Sequence, residues 1–267
     1  MTARIVPTVV TRTLAGIALG IPVLLVVWWG TPVFEAMVAL AAGILAGEWI
    51  RMTRAGAPRT HVWLLGGVLL VAIAIAASIG IAAALVILLV STVLILLQTR
   101  GAPWITLGVL YIGLPCISLI WLRDDSVAGA AVVIWLLLVV WASDIGAYAA
   151  GRLIGGPKLA PRISPNKTWA GLVGGVVAAA VTSASFVAIV DGADPGPACL
   201  LGGTLAIVAQ AGDLLESWVK RRFGVKDTGT LIPGHGGLLD RVDALLAVVL
   251  VVACIAAVDG GALTRWL

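Results

Sequence analysis

Charged residues are scarce in this chain of 267 residues, because Asp, Glu, Lys and Arg together make up only 11% of it. A soluble globular domain carries roughly 25%. Hydrophobic residues make up 61% of the chain, and the mean hydropathy is +1.13. A composition this poor in charge excludes a soluble globule and predicts a polytopic membrane protein.

Cysteine is nearly absent as well. Cys116, Cys199 and Cys254 are scattered in or beside apolar segments. Their spacing provides neither the close pairs of a metal site nor a framework for disulfides. We therefore interpret the three thiols as small buried hydrophobic side chains.

Three further patterns are missing from the apolar segments. They show no alternation of polar and apolar residues, which excludes a membrane β-barrel. The first one, which starts near Leu14, lacks a clear small-x-small cleavage site, so we interpret it as a retained helix and not as a signal peptide. No internal repeat is visible, which argues against a transporter built from inverted repeats.

Nine apolar segments remain, and each can cross a bilayer as a helix of roughly 20 residues. The stretch from 62 to 98 is too long for one helix and is divided near Gly80. The sequence thus predicts an all-α, polytopic membrane helix bundle, with five spans in residues 1–130 and the active-site loops and remaining spans in 131–267. The predicted spans cover about residues 13–30, 32–50, 62–79, 81–98, 103–122, 128–151, 169–190, 198–218 and 242–258.

The cations predict the orientation of these helices. If the N-terminus is cytoplasmic, 15 of the 17 Lys and Arg residues lie on the inner side and only Arg123 and Arg265 lie outside. Such a bias is typical of cytoplasmic loops. We therefore expect the polar loops 152–168 and 219–241 to be cytoplasmic and the C-terminus to lie outside.

Two polar segments precede the seventh span. WASDIGAYAAGR places Asp144 near the cytoplasmic end of the sixth span, where a bond to a neighbouring helix is the alternative role. In KLAPRISPNKTWAG, Pro161 and Pro165 exclude a helix, and the segment lacks the glycines of a P-loop. Lys167 and Thr168 stand where the free N–H groups of a helix start favour an anion. Anchoring to anionic lipid stays open as another role for the basic residues of this segment.

Two more polar segments lie at the end of the eighth span and after it. Asp213, Glu216 (or Ser217) and Lys220 share one helix face, and such a face must point to a bundle interior or a wet cavity. After them, Pro233–Gly237 forms a turn in which two glycines permit close approach to a ligand. Carboxylates beside an excess of cations predict a metal–phosphate site, because Asp oxygens suit Mg²⁺ and Lys or Arg neutralise phosphate oxygens.

The same segments carry a family resemblance. Ser217-x-Val219-Lys220-Arg221, Lys226-Asp227 and Pro233-x-His235-Gly236-Gly237-Leu238-x-Asp240-Arg241-Val242-Asp243 resemble the signature of phosphatidate cytidylyltransferases (CDP-diacylglycerol synthases). SDIGAY (143–148) and KLAPRISPNKTWAGLVGG (158–175) are also similar to segments of that family. The first 130 residues are similar only in hydrophobicity and length.

The resemblance implies that CTP and phosphatidate react to give CDP-diacylglycerol and pyrophosphate. It further implies Mg²⁺, with a second cation as a further expectation, a homodimer, and a multi-pass protein of the inner (plasma) membrane whose site faces the cytoplasm. Membrane lipid is an expected partner and nucleic acid is not. The alternatives are a polyprenol or phytol kinase, a cytidylyltransferase acting on ether lipids and, from another class, a transporter.

The residue assignments combine the polar pattern with the resemblance. The expected catalytic residues are Asp213, Lys226, Asp227, His235, Asp240 and Asp243, although a structural role for His235 in the loop is equally open. The expected metal ligands are Asp213, Asp240, Asp243 and Asp144. The expected substrate-binding residues are Lys167, Thr168, Ser217, Lys220, Arg221, Gly236, Gly237 and Arg241.

Overall fold

A computed structural model describes residues 20–53, 58–98, 103–123, 127–190, 194–229 and 236–258. In these ranges the chain forms helices joined by short connections, and one small hairpin. The elements are α1 (Gly20–Trp29), α2 (Val33–Thr53), α3 (Arg59–Ser78), α4 (Ile81–Gln98), α5 (Pro103–Arg123), α6 (Val127–Leu153), β1 (Lys158–Ala160), β2 (Ser164–Thr168), α7 (Trp169–Val190), α8 (Pro195–Arg222) and α9 (Leu239–Val258).

Eight of these helices, α2 to α9, are long and apolar enough to cross a membrane, and the described part of α1 is shorter. The predicted all-α, multi-pass membrane fold is confirmed. Helix α8 begins before the predicted boundary, because Asp194 accepts a hydrogen bond from the Gly196 amide (2.9 Å) and Pro195 occupies the first helical position. Helix α9 also begins early, since polar Asp240 belongs to its first turn.

Small residues bring α6 and α7 into close contact. A Cβ atom added to Gly174 would lie 2.3 Å from the Cβ of Ala150, and one added to Gly146 would lie 2.6 Å from the Gly174 carbonyl oxygen. Small side chains let membrane helices approach in this way. Ser183 ties α8 to the pair, accepting from Trp135 Nε1 (2.9 Å) and donating to the Ala198 carbonyl (2.6 Å).

Helix α5 connects the two halves of the bundle. It packs against α2, α3 and α4 on one side and against α6 and α9 on the other. Near its start, Trp49 of α2 donates a hydrogen bond to the Trp104 carbonyl (2.7 Å), and the rings of Trp49 and Tyr111 lie 5.1 Å apart. The division at residue 130 stays a prediction.

Contacts at the two ends of the bundle fit the predicted alternation of helix directions. At one end, Arg221 in the last turn of α8 donates to the Ile163 carbonyl in the hairpin turn (3.3 Å). At the other, Arg123 at the end of α5 donates to the Val27 carbonyl near the end of α1 (2.6 Å). The cytoplasmic assignment of the first end stays a prediction.

The loop after α6 contains a structure that the prolines did not indicate. Strands β1 and β2 pair antiparallel, with Lys158 opposite Thr168 and Ala160 opposite Ser164. Pro161 lies in the turn, and a two-stranded ribbon tolerates Pro165 because each strand has a free edge. The hairpin leads directly into α7 and fixes the position of Lys167.

Candidate active site

Three carboxylates meet where α8 and α9 lie side by side. Asp213 and Glu216 are three residues apart on α8, hence on one face, and Asp243 lies in the first turns of α9. One carboxylate oxygen from each lies within 4.8 Å of the other two. We call these residues the acidic trio; Glu216 has no exposed surface and Asp243 is 8% exposed.

Two lysines face the acidic trio. Lys167, at the end of β2, places its Nζ 2.6 Å from Asp213 Oδ2. Lys220, one turn after Glu216 on α8, forms an ion pair with that carboxylate and lies 2.8 Å from Asp240 Oδ1. The shared face of Asp213, Glu216 and Lys220 is thus observed as predicted.

Asp240 does not belong to the trio in the described part of the chain. Its Oδ1 accepts from Lys220 Nζ, and its Oδ2 accepts from the amides of Gly237 (2.8 Å) and Thr228 (3.0 Å) and from the Thr228 hydroxyl (3.0 Å). Both oxygens therefore hold the chain before α9 and Lys220 in place. The assignment of Asp240 as a metal ligand stays a prediction.

The acidic trio fits a divalent cation. Three carboxylates share two lysines, and Lys220 is itself divided between Glu216 and Asp240. Apart from the Lys220 ion pair, no donor among the described residues forms a directed hydrogen bond with either oxygen of Glu216. Burying carboxylates without donors is unfavourable, and clustered carboxylate oxygens are ligands that Mg²⁺ accepts.

A cavity of about 1080 Å³ opens beside the trio. One part of its wall is apolar and comes from α1, α6 and α9, with Val23, Leu137, Val140, Trp141 and Leu245. The other part is polar, with Asp144, Arg152, Asn166, Lys167, Thr168, Gln210, Asp213, Lys220, Asp227, Asp240, Arg241 and Asp243. The cavity can therefore hold a molecule that is charged at one end and apolar at the other.

The structure separates the remaining predicted site residues into two sets. Asp144, Asp227 and Arg241 line the cavity, and Asp144 does so about two and a half turns before the end of α6, deeper than expected. Arg221 and Lys226 are exposed and do not line it; Arg221 instead donates to the carbonyls of Ile163 and Val225. His235 lies outside the described residues.

Four smaller residues shape the site. Thr168 caps α7, since its Oγ1 accepts from the Gly171 amide (3.0 Å), and Ser217 donates to Asp213 Oδ1 (3.3 Å). Gly236 has φ +83°, a conformation that favours glycine. At Gly237 a Cβ would lie 2.3 Å from Thr228 Oγ1. The roles of these residues in substrate binding stay predictions.

Sequence reasoning missed several polar residues at the site. Arg152 and Gln210 line the cavity, but neither stands in the signature segments. Glu48 of α2 is fully buried against the loop that leads into α9. A carboxylate within an apolar span was the only signal for Glu48.

Comparisons with known proteins bear on the chain as a whole. A sequence model of the cytidylyltransferase family matches residues 10–258. The phosphatidate cytidylyltransferases of Brucella melitensis and Brucella suis are each 44% identical to the chain over 245 residues, 89% of either protein. That of Bacillus subtilis is 41% identical over 146 residues, 54% of either protein. The match includes the N-terminal helices, which carry no recognisable motif, and the chain belongs to the cytidylyltransferase family.

Proposed function

We propose that the chain transfers the CMP group of CTP to phosphatidate, giving CDP-diacylglycerol and pyrophosphate. The observation that carries this is a cavity in which Asp213, Asp243 and four cations face an apolar wall, with Glu216 of the trio buried behind them. Phosphatidate has a phosphate at one end and acyl chains at the other, so it matches both parts of that wall. The curated relatives that carry this activity in their names cover most of the chain.

The reaction needs no strong base. A phosphate monoester is mostly dianionic at neutral pH, because its second pKa is about 6. One of its oxygens attacks the α-phosphorus of CTP, a new P–O bond forms, and the bond from that phosphorus to the bridging oxygen breaks. Pyrophosphate leaves with the electron pair. The barrier comes from bringing two anions together, which the protein lowers by neutralising and positioning charge.

The residues divide this work by charge. Asp213, Glu216 and Asp243 would hold Mg²⁺, which when bound neutralises and aligns phosphate oxygens. The positive charges of Lys167 and Lys220 reduce the repulsion among the three carboxylates, and both side chains can turn towards phosphate oxygens. Arg152 and Arg241, which also line the cavity, are the cations we assign to the triphosphate or the lipid phosphate.

We further propose that the site faces the cytoplasm at the inner membrane and that the enzyme is a homodimer. The orientation is supported by the uneven distribution of Lys and Arg. The dimer is supported by the family resemblance, and native mass spectrometry of the detergent-solubilised protein would test it. A single mass equal to one chain would refute it.

The test of the reaction is direct. Purified protein is mixed with phosphatidate in detergent micelles and with CTP labelled at the α-phosphate, with and without Mg²⁺. Label should enter the lipid, and unlabelled pyrophosphate should be released in equal amount. Label transferred to lipid only from CTP labelled at the γ-phosphate would identify a lipid kinase and would overturn the proposal.

A further inference from the structure

A buried carboxylate in the N-terminal half reaches the chain that leads into α9. Glu48 lies near the end of α2 and has no exposed surface. Its Oε1 accepts a hydrogen bond from the Leu238 amide (2.9 Å), and its Oε2 accepts from the Leu239 amide (2.7 Å). The Thr228 hydroxyl approaches Oε2 at 3.4 Å. Glu48 therefore caps a helix that lies 190 residues further along the chain.

The position of Glu48 does not stabilise α2, the helix that carries it. A carboxylate near the C-terminal end of its own helix is unfavourable, because the helix dipole is negative there. A buried carboxylate in an apolar span is unfavourable as well. Both effects are offset at the start of α9, where free amides and the positive end of a second dipole meet Glu48. The stabilising partner of Glu48 is therefore the first turn of α9.

Two glycines make room for this contact. A Cβ atom added to Gly237 would lie 2.7 Å from each Glu48 oxygen, and one added to Gly229 would lie 2.8 Å from Oε1. Both distances are too short for real atoms. The backbone at these two positions therefore approaches Glu48 closely only because both residues lack a side chain.

The first turn of α9 and the turn after it carry two carboxylates of the site. Asp240 holds Lys220, and Asp243, one turn further, belongs to the acidic trio. Asp240, within α9, accepts hydrogen bonds from the amides of Gly237 and Thr228. Glu48, on α2, accepts from the next amide after Gly237, that of Leu238. Glu48, a residue on another helix, thus fixes the rotation of α9 about its axis and the position of α9 along that axis.

We propose that Glu48 is a positioning residue for the reaction, which sets α9 so that Asp243 reaches Asp213 and Glu216. The inference rests on the proposed function where it concerns activity. It gives the N-terminal helices a part in catalysis that the signature motifs do not contain. Residues that orient the ligands of a metal typically change metal affinity or activity by about 10–100-fold when they are replaced.

Glu48→Gln is the direct test. The amide keeps the size of the side chain but places an NH₂ group against one of the two backbone amides. We expect kcat to fall by about 10–100-fold and the half-saturating Mg²⁺ concentration to rise by a similar factor. The KM for CTP should stay within about threefold, because Glu48 does not itself line the cavity and contacts its wall only through the Leu238 backbone. Glu48→Asp keeps the charge and should recover part of kcat.

Glu35→Gln is the matched control. Glu35 lies on the same helix, about 20 Å from Glu48 at 1.5 Å per residue, and therefore away from the start of α9 that Glu48 contacts. We expect wild-type kinetics from this variant. Equal losses in the Glu35 and Glu48 variants would mean that any lost carboxylate on α2 disturbs the fold, and would overturn the proposal.

Hydrogen–deuterium exchange separates this inference from the proposed function. It is measured on purified protein without CTP, lipid substrate or metal. In Glu48→Gln the peptide covering 236–245 should exchange at least about tenfold faster, with α6 and α7 unchanged. Unchanged exchange in that peptide, or faster exchange in all helices, overturns the positioning role, whatever reaction the wild type catalyses.

A second variant covers the case in which Glu48→Gln does not fold. Thr228→Val removes the hydroxyl that contacts both Glu48 and Asp240 but keeps the shape of the side chain. It should raise exchange in the same peptide and raise the Mg²⁺ requirement by a smaller factor. Wild-type exchange and a wild-type Mg²⁺ requirement would show that the contacts of Thr228 with Glu48 and Asp240 do not position α9, and would overturn the proposal.

Discussion

Replacing Asp213 by Asn removes one charge from the acidic trio without changing the volume of the side chain. The amide oxygen of the new side chain can still accept the hydrogen bond that Ser217 donates to Asp213, and it can stay beside Lys167, the ion-pair partner of Asp213. The fold and membrane insertion should therefore survive. The substitution removes the attraction between Asp213 and a bound cation and the ion pair of Asp213 with Lys167, while Glu216 and Asp243 are unchanged.

The size of the loss follows from the geometry. Two unit charges about 4 Å apart attract by about 4 kcal/mol at an effective dielectric constant of about 20. A divalent ion within the trio carries twice the charge, and desolvation offsets roughly half of the attraction. The net loss is about 4 kcal/mol, and since about 1.4 kcal/mol corresponds to a factor of ten, activity should fall about a thousandfold.

The assay is formation of CDP-diacylglycerol in mixed micelles, with Mg²⁺ varied from limiting to saturating. The control is Asp194→Asn, the same chemical change at the other end of α8, where Asn caps a helix as well as Asp does. Asp194→Asn should match the wild type. If Asp213→Asn at limiting Mg²⁺ stays within about threefold of the wild type, the trio is not the metal site and the electrostatic reasoning fails.

Four further predictions follow from the same structure. Lys220→Met leaves Glu216 and Asp240 without their shared cation and should lower kcat at least about a hundredfold. A smaller effect on kcat than on KM would contradict a role of Lys220 in holding these two carboxylates. Gly174→Ala should lower the melting temperature through about 1–3 kcal/mol of overpacking between α6 and α7, whereas Gly43→Ala, with open space around it, should not. In a background without native cysteines, an impermeant reagent applied to intact cells should label Ile79→Cys but not Arg162→Cys, and the reverse pattern would invert the topology. Chelation by EDTA should abolish product formation and added Mg²⁺ should restore it, while persistent activity in EDTA would exclude a metal-dependent reaction.

The helices could be predicted almost completely from the sequence because membrane spans obey a simple rule. A run of roughly 20 apolar residues must form a helix in hydrocarbon, where backbone groups find no water. The boundaries that differ are those set by local capping, such as the start of α8 at Asp194 and Pro195. The hairpin at 158–168 was not predicted, since two prolines in a short polar segment usually indicate a loop.

Residue spacing alone could predict the site only where its residues are neighbours in the chain, and the family resemblance supplied the other members. Asp213, Glu216 and Lys220 lie on one helix face, so their spacing alone places them together. Asp240 and Asp243 are also close in sequence, but which of them joins the trio depends on the rotation of α9. The contact between Glu48 and Leu238 joins residues far apart in the chain, and no local pattern reports it.

The two-part wall of the cavity has a consequence for how the enzyme meets its substrates. A lipid held against Val23 and Leu245 comes from the bilayer and returns to it, so its supply is governed by lateral diffusion in two dimensions. The relevant concentration is a surface density, the mole fraction of that lipid among its neighbours, and not its molarity in the sample. Adding inert detergent or lipid at a constant amount of phosphatidate should therefore slow the reaction by dilution within the surface, while the dependence on CTP, which arrives from water, keeps an ordinary molar KM.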